Sequence, residues 1–392
     1  MADRIFLSPP HRAGTELAFL QQALESNYLA PVGPDLDAFE AEIGRLLALP
    51  ALPTTGRRLV ALNSGAAALH LALVLAGVGA GDVVLCPDFA FIASAAPVVQ
   101  LGAQICAVDA EYATWNMDPD RAEAALVRLQ REGRPAKALV VVHGYGRPAR
   151  MDRFLDLARR FGLALIEDAA ESLAATALGR HTGTLGDFGI LSFNGNKLIT
   201  TSGGGMLCCA RPEDAEKALA LATMARDPGP FFTHSFLGYS YRLSNLLAAL
   251  GRAQLEALPQ RLEQKRRVLE GYRERLAGVA GISFLPEPDP AWGTSNHWLT
   301  CIVFDDPGSA RGHARREAVR LALERENIEA RALWTPLHRQ PALTELAGAG
   351  LVEGGDVADD LFARGLALPS GTTLTEADQD RICEILAAAA SA

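Results

Sequence analysis

Between about residues 57 and 210, short and almost wholly apolar runs alternate with longer stretches of helical character. Seven of the runs predict strands, namely RRLVALN, DVVLCP, QICAVD, ALVVVHG, LALIEDAA, FGILSF and GGMLCC. Stretches such as SGAAALHLALVLAG, PDRAEAALVRLQREG and MDRFLDLARRFG lie between them and predict helices. Continuous apolar strands separated by helices are typical of a mostly parallel sheet covered on both faces. The pattern therefore predicts an α/β fold for this part.

The pattern changes after residue 211. PEDAEKALALATMA predicts a helix, PGPFFTHSFLGYSYRLSN a loop, and the following stretch to RERLAG a long helix broken at Pro259. From about residue 280, short strands and helices alternate, as in TCIVFDD, ARREAVRLALERENI and EARALW. This texture predicts a smaller α+β domain. We expect a large domain at residues 1–250 and a small C-terminal domain at residues 251–392.

The composition argues against several classes of function. The formal net charge of −9 over 392 residues argues against a nucleic-acid surface, although local cations can still bind an anionic small molecule. Six cysteines without CxxC spacing favour buried reduced thiols over a metal site or disulfides. The start MADRIFLSPPHRAG lacks a signal-peptide core, and no apolar run is long enough to cross a membrane. We expect a cytoplasmic protein without metal.

Candidate chemistry lies where the strands end, because ligands of such sheets bind beyond the carboxyl ends of the strands. Ser64 and Gly65 open a helix whose unpaired N–H groups and dipole suit a phosphate, with an ordinary helix cap as the alternative. Asp168 ends LALIEDAA. It either caps the next helix or faces a protonated ring nitrogen, as pyridoxal phosphate requires. His143, in VVVHGYG, is either a cofactor neighbour or a satisfied strand-end histidine.

Lys197 lies in SFNGNKLITTSGGGML, between two runs that predict buried strands. A desolvated lysine is a nucleophile that can form a Schiff base, whereas a solvated turn is the usual place for lysine. Ser192 precedes it and could donate to a phosphate, and Phe89 at another strand end could stack on a ring. Together with Asp168 and the helix opening, these residues supply what pyridoxal phosphate (PLP) needs.

The chain resembles the PLP-dependent sugar-nucleotide aminotransferases of the DegT type, which have the fold of aspartate aminotransferase. The resemblance runs nearly end to end, through LSPPH, SNYLAPVGPDLDAFE, NSGAAALHLAL, PDFAFIASA, IEDAAESLAA, GDFGILSFNGNKLITTSGGGML, LGYSYRLSNLLAALGRAQ, ARALWTPLHRQP and LPSGTTLTEAD. It implies PLP fold type I: a large PLP-binding domain with a mostly parallel seven-stranded sheet flanked by helices, plus the smaller α+β domain. It also implies a homodimer with the active site at the subunit interface.

The resemblance also implies roles for particular residues. Lys197 would be the Schiff-base lysine and proton shuttle, Asp168 would keep the pyridine nitrogen protonated, and Phe89 would stack on the ring. Further implied cofactor contacts are Gly65, Ala66, Ser192, Glu171, Asn196 and Ser240, where Glu171 takes the place of a Gln or His found beside the PLP hydroxyl in many relatives. Three residues match positions near the nucleotide-sugar pocket, namely His297, Trp334 and His338.

Two positions depart from the family pattern. Ala66 stands where relatives usually carry threonine, which removes a hydroxyl contact to the phosphate but leaves the backbone N–H. Ser240 stands where relatives usually carry an asparagine that reaches the partner subunit's cofactor phosphate. Both changes loosen the phosphate site without touching the reacting carbon, so we expect an active enzyme.

The motifs FNGNK, TTSGGGM and DAAES most resemble the bacillosamine-type branch. That likeness implies transfer of an amino group from glutamate to the 4-keto carbon of a UDP-linked 4-keto-6-deoxy-N-acetylhexosamine, for glycan biosynthesis. The alternatives are a GDP- or dTDP-linked or 3-keto sugar, a sugar dehydratase, and a non-catalytic relative. In the dehydratases a histidine replaces the lysine, so Lys197 argues against that class.

Overall fold

The structure is a computed structural model that describes residues 3–50, 57–305, 310–346 and 351–391. The helices are α1 (Glu16–Glu25), α2 (Pro34–Leu46), α3 (Gly65–Leu75), α4 (Ala96–Gln100), α5 (Pro119–Arg131), α6 (Met151–Phe161), α7 (Pro212–Ala222), α8 (Asn245–Glu256), α9 (Leu258–Leu276), α10 (Ala310–Arg325), α11 (Pro341–Leu346), α12 (Asp356–Arg364) and α13 (Glu376–Ser391). The strands are β1 (Leu59–Leu62), β2 (Val83–Pro87), β3 (Gln104–Val108), β4 (Ala136–Val142), β5 (Ala164–Asp168), β6 (Thr176–Ala177), β7 (Arg180–His181), β8 (Phe188–Ser192), β9 (Gly205–Cys209), β10 (Ile282–Phe284), β11 (Gly293–Thr294), β12 (Thr300–Phe304), β13 (Arg331–Ala332), β14 (Leu351–Glu353) and β15 (Gly365–Leu368).

The large sheet has the strand order β1-β9-β8-β5-β4-β2-β3-β14. β9 runs antiparallel to its neighbours β1 and β8, and the other neighbouring pairs are parallel. All seven predicted strands are present, and the predicted α/β class is confirmed. The predicted count of seven is one short, because β14 comes from the C-terminal part of the chain and pairs with β3. Three residues are too few to carry a periodic pattern.

Helices cover both faces of this sheet, as the continuous apolar strands predict. On one face, α3 and α7 pack over residues such as Val84 and Ile166. On the other, α5 and α6 pack over their sequence neighbours Leu85 and Leu165. Adjacent residues of one strand are therefore buried in different layers, which leaves only the ends of the strands for polar chemistry.

A second sheet, of order β10-β12-β15-β13, forms the smaller α+β part with α9, α10 and α13. The predicted helix break near Pro259 is confirmed: α8 ends at Glu256, and Pro259 lies in the first turn of α9, where a missing N–H costs nothing. The division of the chain at residue 250 stays a prediction, and α8 crosses it.

All six cysteines are buried thiols, as predicted. Throughout the described ranges, each helix is too short or too polar to span a bilayer.

Candidate active site

A cavity of about 450 Å³ opens at the carboxyl ends of the large sheet. Five of the predicted residues line it, although they come from three separate segments of the chain, namely Gly65, Ala66, Asp168, Ser192 and Lys197. Its volume is within the range of roughly 300–1,000 Å³ that small-molecule pockets occupy. The fold thus brings the main predicted site residues to one place.

The N-terminus of α3 forms one end of the cavity. The Ser64 hydroxyl caps the helix by accepting from the amide of Ala67 at 3.0 Å, so the cap interpretation is correct for this residue. The amides of Gly65 and Ala66 head the helix, and the first N–H groups of an α-helix have no partner within it. A Cβ atom at Gly65 would lie 3.2 Å from Cβ of Ser192, so glycine allows this close approach. The end of the helix can both be capped and receive a phosphate.

Asp168 ends β5 with its carboxylate in the cavity. Its Oδ2 accepts from the Ser94 hydroxyl at 2.7 Å, and its Oδ1 accepts from the amide of Ala170 at 3.1 Å. The chain after β5 makes turns and not a helix, so the helix-cap interpretation of Asp168 is wrong. These two donors fix the direction of the buried carboxylate.

Glu167, the neighbouring acid, faces the opposite side of the sheet. It is fully buried and accepts from Nε2 of His143 at 3.1 Å and from the amides of Gly183 and Gly186 at 3.0 and 2.7 Å. Because Nδ1 of His143 accepts from the amide of Ala149, the ring proton lies on Nε2. His143 is therefore a satisfied strand-end histidine, and the period of two along a strand separates the acids.

Lys197 lies in the loop after β8, and its side chain is 14% exposed. The ammonium is 3.3 Å from Oε1 of Glu171 and 4.1 Å from the ring centroid of Trp298. The solvated-turn alternative is therefore wrong. A carboxylate on one side and an aromatic face on the other hold the amine inside the cavity.

Glu171 joins Lys197 to the loop after β4. Its Oε2 accepts from the amide of Tyr145 at 2.8 Å, while Oε1 faces Lys197. Burial raises the pKa of this carboxyl to about 7, against the opposing effect of the Lys197 charge. Glu171 can therefore hold or release a proton near neutral pH beside the candidate nucleophile.

We expect Glu171 to make the apoprotein less stable as pH rises through this window. The unfolded chain releases the proton near the ordinary pKa of 4.5, whereas the folded chain keeps it to about 7. Between these values the folded state binds more protons, so its advantage falls as pH rises. The measurement is the free energy of unfolding of wild type minus that of Glu171→Gln, which should decrease between the two pH values. A difference that stays constant would show that Glu171 ionises like an exposed carboxyl.

The structure corrects the prediction for Phe89. Phe89 is buried against Tyr145 and Trp334, with ring centroids 6.3 and 6.0 Å away, and it is not among the described residues that line the cavity. Phe91, two residues later, lines the cavity and is 56% exposed. Strand β2 ends at Pro87, so the chain has left the sheet before it reaches Phe89 and Phe91. Phe91 is the better candidate for a ring-stacking aromatic.

The remaining predicted residues divide between the cavity wall and its surroundings. Trp334 and Asn196 line the cavity, and Trp334 stacks on Tyr145 at 4.0 Å. Two predicted substrate residues are outside the described lining: His338 is 2.6 Å from Asp88, and His297 is 3.6 Å from Glu287.

Ser240 is exposed, and its carbonyl accepts from the side chain of Asn63, which lines the cavity. It too is outside the described lining. Its predicted contact is with a partner subunit, which the single chain does not test.

Besides Phe91, sequence reasoning missed three residues that shape the site, namely Ser94, Tyr145 and Trp298. Ser94 positions Asp168, Tyr145 supplies an amide to Glu171, and Trp298 covers Lys197. The aromatic in SNHWLT and the tyrosine in HGYG were available signals, since both adjoin segments already selected.

The residues present fit PLP. A cavity of suitable volume joins a helix N-terminus for a phosphate, a buried carboxylate for a ring nitrogen and a buried lysine amine. A Cβ atom at Gly205 would lie 2.4 Å from the amide nitrogen of Gly65, so the backbone beside the phosphate end requires glycine.

Comparisons with known proteins agree with this geometry. The sequence profile of the DegT/DnrJ/EryC1/StrS aminotransferase family matches residues 10–387. EpsN of Bacillus subtilis (strain 168), whose assignment as a pyridoxal phosphate-dependent aminotransferase is provisional, is 43% identical over 98% of this chain and 96% of its own length. GDP-perosamine synthase of Caulobacter vibrioides is 34% identical over 98% and 97%. The crystal structure of the aminotransferase TlmJ from Streptoalloteichus hindustanus is similar with a TM-score of 0.88 and 28% identity, over 98% of each chain.

Proposed function

The chain belongs to the DegT/DnrJ/EryC1/StrS aminotransferase family and is a PLP-dependent sugar aminotransferase, and from this premise we propose its substrates. The amino donor is glutamate, and the acceptor is the 4-keto carbon of a UDP-linked 4-keto-6-deoxy-N-acetylhexosamine. The product is a UDP-4-amino sugar for glycan biosynthesis. The observation that carries the aminotransferase chemistry is the cavity that joins Lys197, Asp168 and the N-terminus of α3; the choice of sugar rests on the motifs FNGNK, TTSGGGM and DAAES.

The residues of the cavity divide the work. When bound, PLP supplies an aldehyde carbon that carries the amino group and a ring that withdraws electrons from it. Lys197 would hold the cofactor and move a proton at Nζ, with Glu171 at 3.3 Å as its neighbouring proton acceptor. Asp168, aimed by Ser94, would keep the ring nitrogen charged. Gly65, Ala66 and Ser192 would bind the phosphate, and Phe91 would cover the ring.

Two observations favour different nucleotides for the acceptor sugar. The motifs FNGNK, TTSGGGM and DAAES support UDP through their likeness to the bacillosamine-type branch. The 34% identity to a GDP-perosamine synthase supports a GDP-linked sugar as the second candidate. The residues that bind PLP do not distinguish the nucleotides, and we propose UDP on the resemblance of these three motifs to one branch of the family.

An absorbance assay tests this choice. The enzyme is first converted to its pyridoxamine phosphate form with glutamate, and is then mixed with UDP-, GDP- and dTDP-linked 4-keto sugars. We expect the UDP-N-acetyl sugar to restore the PLP spectrum at least about tenfold faster than the others, the usual discrimination of a pocket built for one substrate. A faster response to the GDP sugar would favour the perosamine-type alternative. Lys197→Ala serves as the control and should respond to none.

We propose a homodimer whose active site lies at the subunit interface. The loop before Ser240 exposes several large apolar residues, namely Phe231, Phe232, Phe236 and Leu237. A group of this size on the surface is typical of an interaction site. The family resemblance would then place Ser240 near the cofactor phosphate of the partner subunit.

We also propose a cytoplasmic location, which the six buried thiols without a disulfide support.

A further inference from the structure

Lys265 is a buried lysine outside the cavity wall. It lies on α9, and the residue is 4% exposed. Its ammonium donates to the carbonyl oxygens of Trp298 and Ser370 at 2.8 and 2.6 Å and to the Ser8 hydroxyl at 3.3 Å. All three N–H donors of the side chain are therefore used, and they join three segments that are far apart in sequence.

None of these acceptors is charged. In the part of the chain that the structure describes, no carboxylate lies within ion-pair distance of this ammonium. Burial lowers the pKa of Lys265 to about 7. Burying an ammonium without a counter-charge costs free energy, and a methionine could fill the same space without that cost. What Lys265 provides is hydrogen bonding to these particular segments.

Two of the segments lead directly to the reactive loop. The indole Nε1 of Trp298 donates to the carbonyl oxygen of Asn196 at 2.8 Å, and the Ser8 hydroxyl donates to the same oxygen at 3.4 Å. Asn196 immediately precedes Lys197, whose ammonium lies 4.1 Å from the Trp298 ring centroid. Lys265, Ser8, Trp298 and Asn196 thus form a closed network behind Lys197.

We propose that Lys265 is a positioning residue for Lys197: by holding Trp298 and Ser8 in place, it fixes the loop that carries the reactive amine. The inference rests on the role proposed for Lys197. Between β8 and Lys197 the chain runs through Phe193, which is buried, and then through Asn194-Gly195-Asn196, of which Asn194 and Asn196 are exposed. The bonds from Trp298 and Ser8 to Asn196 therefore support the exposed part of the loop, next to Lys197. A misplacement of about 1 Å at a reacting group can reduce the rate about 100-fold, so this support has a catalytic consequence.

The test compares Lys265→Met with Tyr272→Phe. Tyr272 lies on the same helix, is buried and donates its hydroxyl to the carbonyl of Pro369 at 2.8 Å. The control therefore loses a buried hydrogen bond from α9 to the segment beside Ser370, but it does not touch Trp298 or Ser8. Each enzyme is mixed with PLP and quenched with borohydride at successive times, and peptide mass analysis then measures how fast PLP becomes trapped at Lys197. The chain has only four lysines, namely Lys137, Lys197, Lys217 and Lys265, so the site of trapping is unambiguous.

We expect Lys265→Met to slow trapping at Lys197 and to reduce kcat by roughly 10- to 100-fold, with KM for the sugar nearly unchanged. Tyr272→Phe should trap at the wild-type rate even if its Tm falls. If Lys265→Met does not fold, Lys265→Gln retains two N–H donors and should still trap more slowly than Tyr272→Phe.

Two results would overturn the inference. The first is trapping at the wild-type rate in the Lys265 variant. The second is an equal fall in the trapping rate of Tyr272→Phe, which would indicate that any loss of a bond from α9 slows Lys197. A failure of the proposed function would give a different result from a failure of this inference. In that case wild type itself is not trapped at Lys197, whatever the residue at position 265.

A double-mutant cycle with Trp298→Phe gives an independent check, because this variant keeps an aromatic ring but removes the donor to Asn196. If both residues act through one link, the double variant should be no worse than the poorer single variant. Additive losses in trapping would contradict the network.

Discussion

Lys197→Ala should reduce kcat by at least about 10⁴-fold, the upper end of what one positioned acid–base group contributes. The expected loss is this large because Lys197 has two proposed tasks, holding the cofactor and moving the proton. The structure places its ammonium in the cavity within 3.3 Å of Glu171, and no second lysine lines the cavity among the described residues. The measurement is single-turnover kinetics with excess PLP and glutamate.

The matched control is Lys217→Ala. Lys217 is also a lysine with an acidic neighbour, Asp214 at 4.0 Å, but its side chain is 67% exposed and lies on α7. It should keep the wild-type kcat. Normal turnover by Lys197→Ala would remove the basis of the proposed mechanism, and so would PLP trapping at one of the other lysines.

Asp168→Asn should reduce kcat by about 10³-fold. The carboxylate is buried in the cavity and fixed by the Ser94 hydroxyl at 2.7 Å, so it can pair with a charged ring nitrogen. Two opposite charges about 4 Å apart attract by about 4 kcal/mol at an effective dielectric constant of about 20, and that energy corresponds to about 10³ in rate. Asparagine keeps the shape and can still accept from Ser94, but it has no charge. The measurements are kcat and the apparent Kd for PLP.

Glu167→Gln provides the contrasting control, one residue away. Glu167 is bonded to His143 and to backbone amides on the other side of the sheet. Its amide variant should lose about 1–3 kcal/mol of stability, because the NH₂ group of glutamine cannot accept and leaves a buried donor without a partner, while the folded enzyme keeps its kcat. If Asp168→Asn lowered the stability instead and left kcat intact, Asp168 would be a structural acid like its neighbour.

The different surroundings of Glu167 and Asp168 follow from the alternation of side chains along a strand. Glu167 and Asp168 are chemically similar and adjacent, but alternation along β5 sends one side chain into the packed layer and the other into the cavity. The first meets amides that satisfy it completely, whereas the second meets only the Ser94 hydroxyl and one amide. Only the second has space beside it for a ligand.

The local pattern of apolar and polar residues was sufficient to predict much of the fold. The seven apolar runs became strands because each is long enough to be buried on both faces, and Pro259 broke the long helix because its ring fits only the first turn of a helix. The strand-end positions of Asp168 and Ser192 follow from where the apolar runs stop. Lys197 could be selected because it is a lone cation between two such runs.

Other features depended on distances between segments that the sequence separates widely. Phe89 and Phe91 are equivalent as aromatics near a strand end, and only the turn after β2 decides that Phe91 lines the cavity. Trp298 lies about a hundred positions from Lys197, and β14 joins β3 across more than two hundred residues. Apolar periodicity records which side of its own element a residue occupies, so the sequence by itself determined the seven strands between residues 57 and 210, their ends and the placement of Lys197 between two of them. The neighbours of that lysine, from Glu171 to Lys265, were decided by packing between elements, which only the tertiary structure contains.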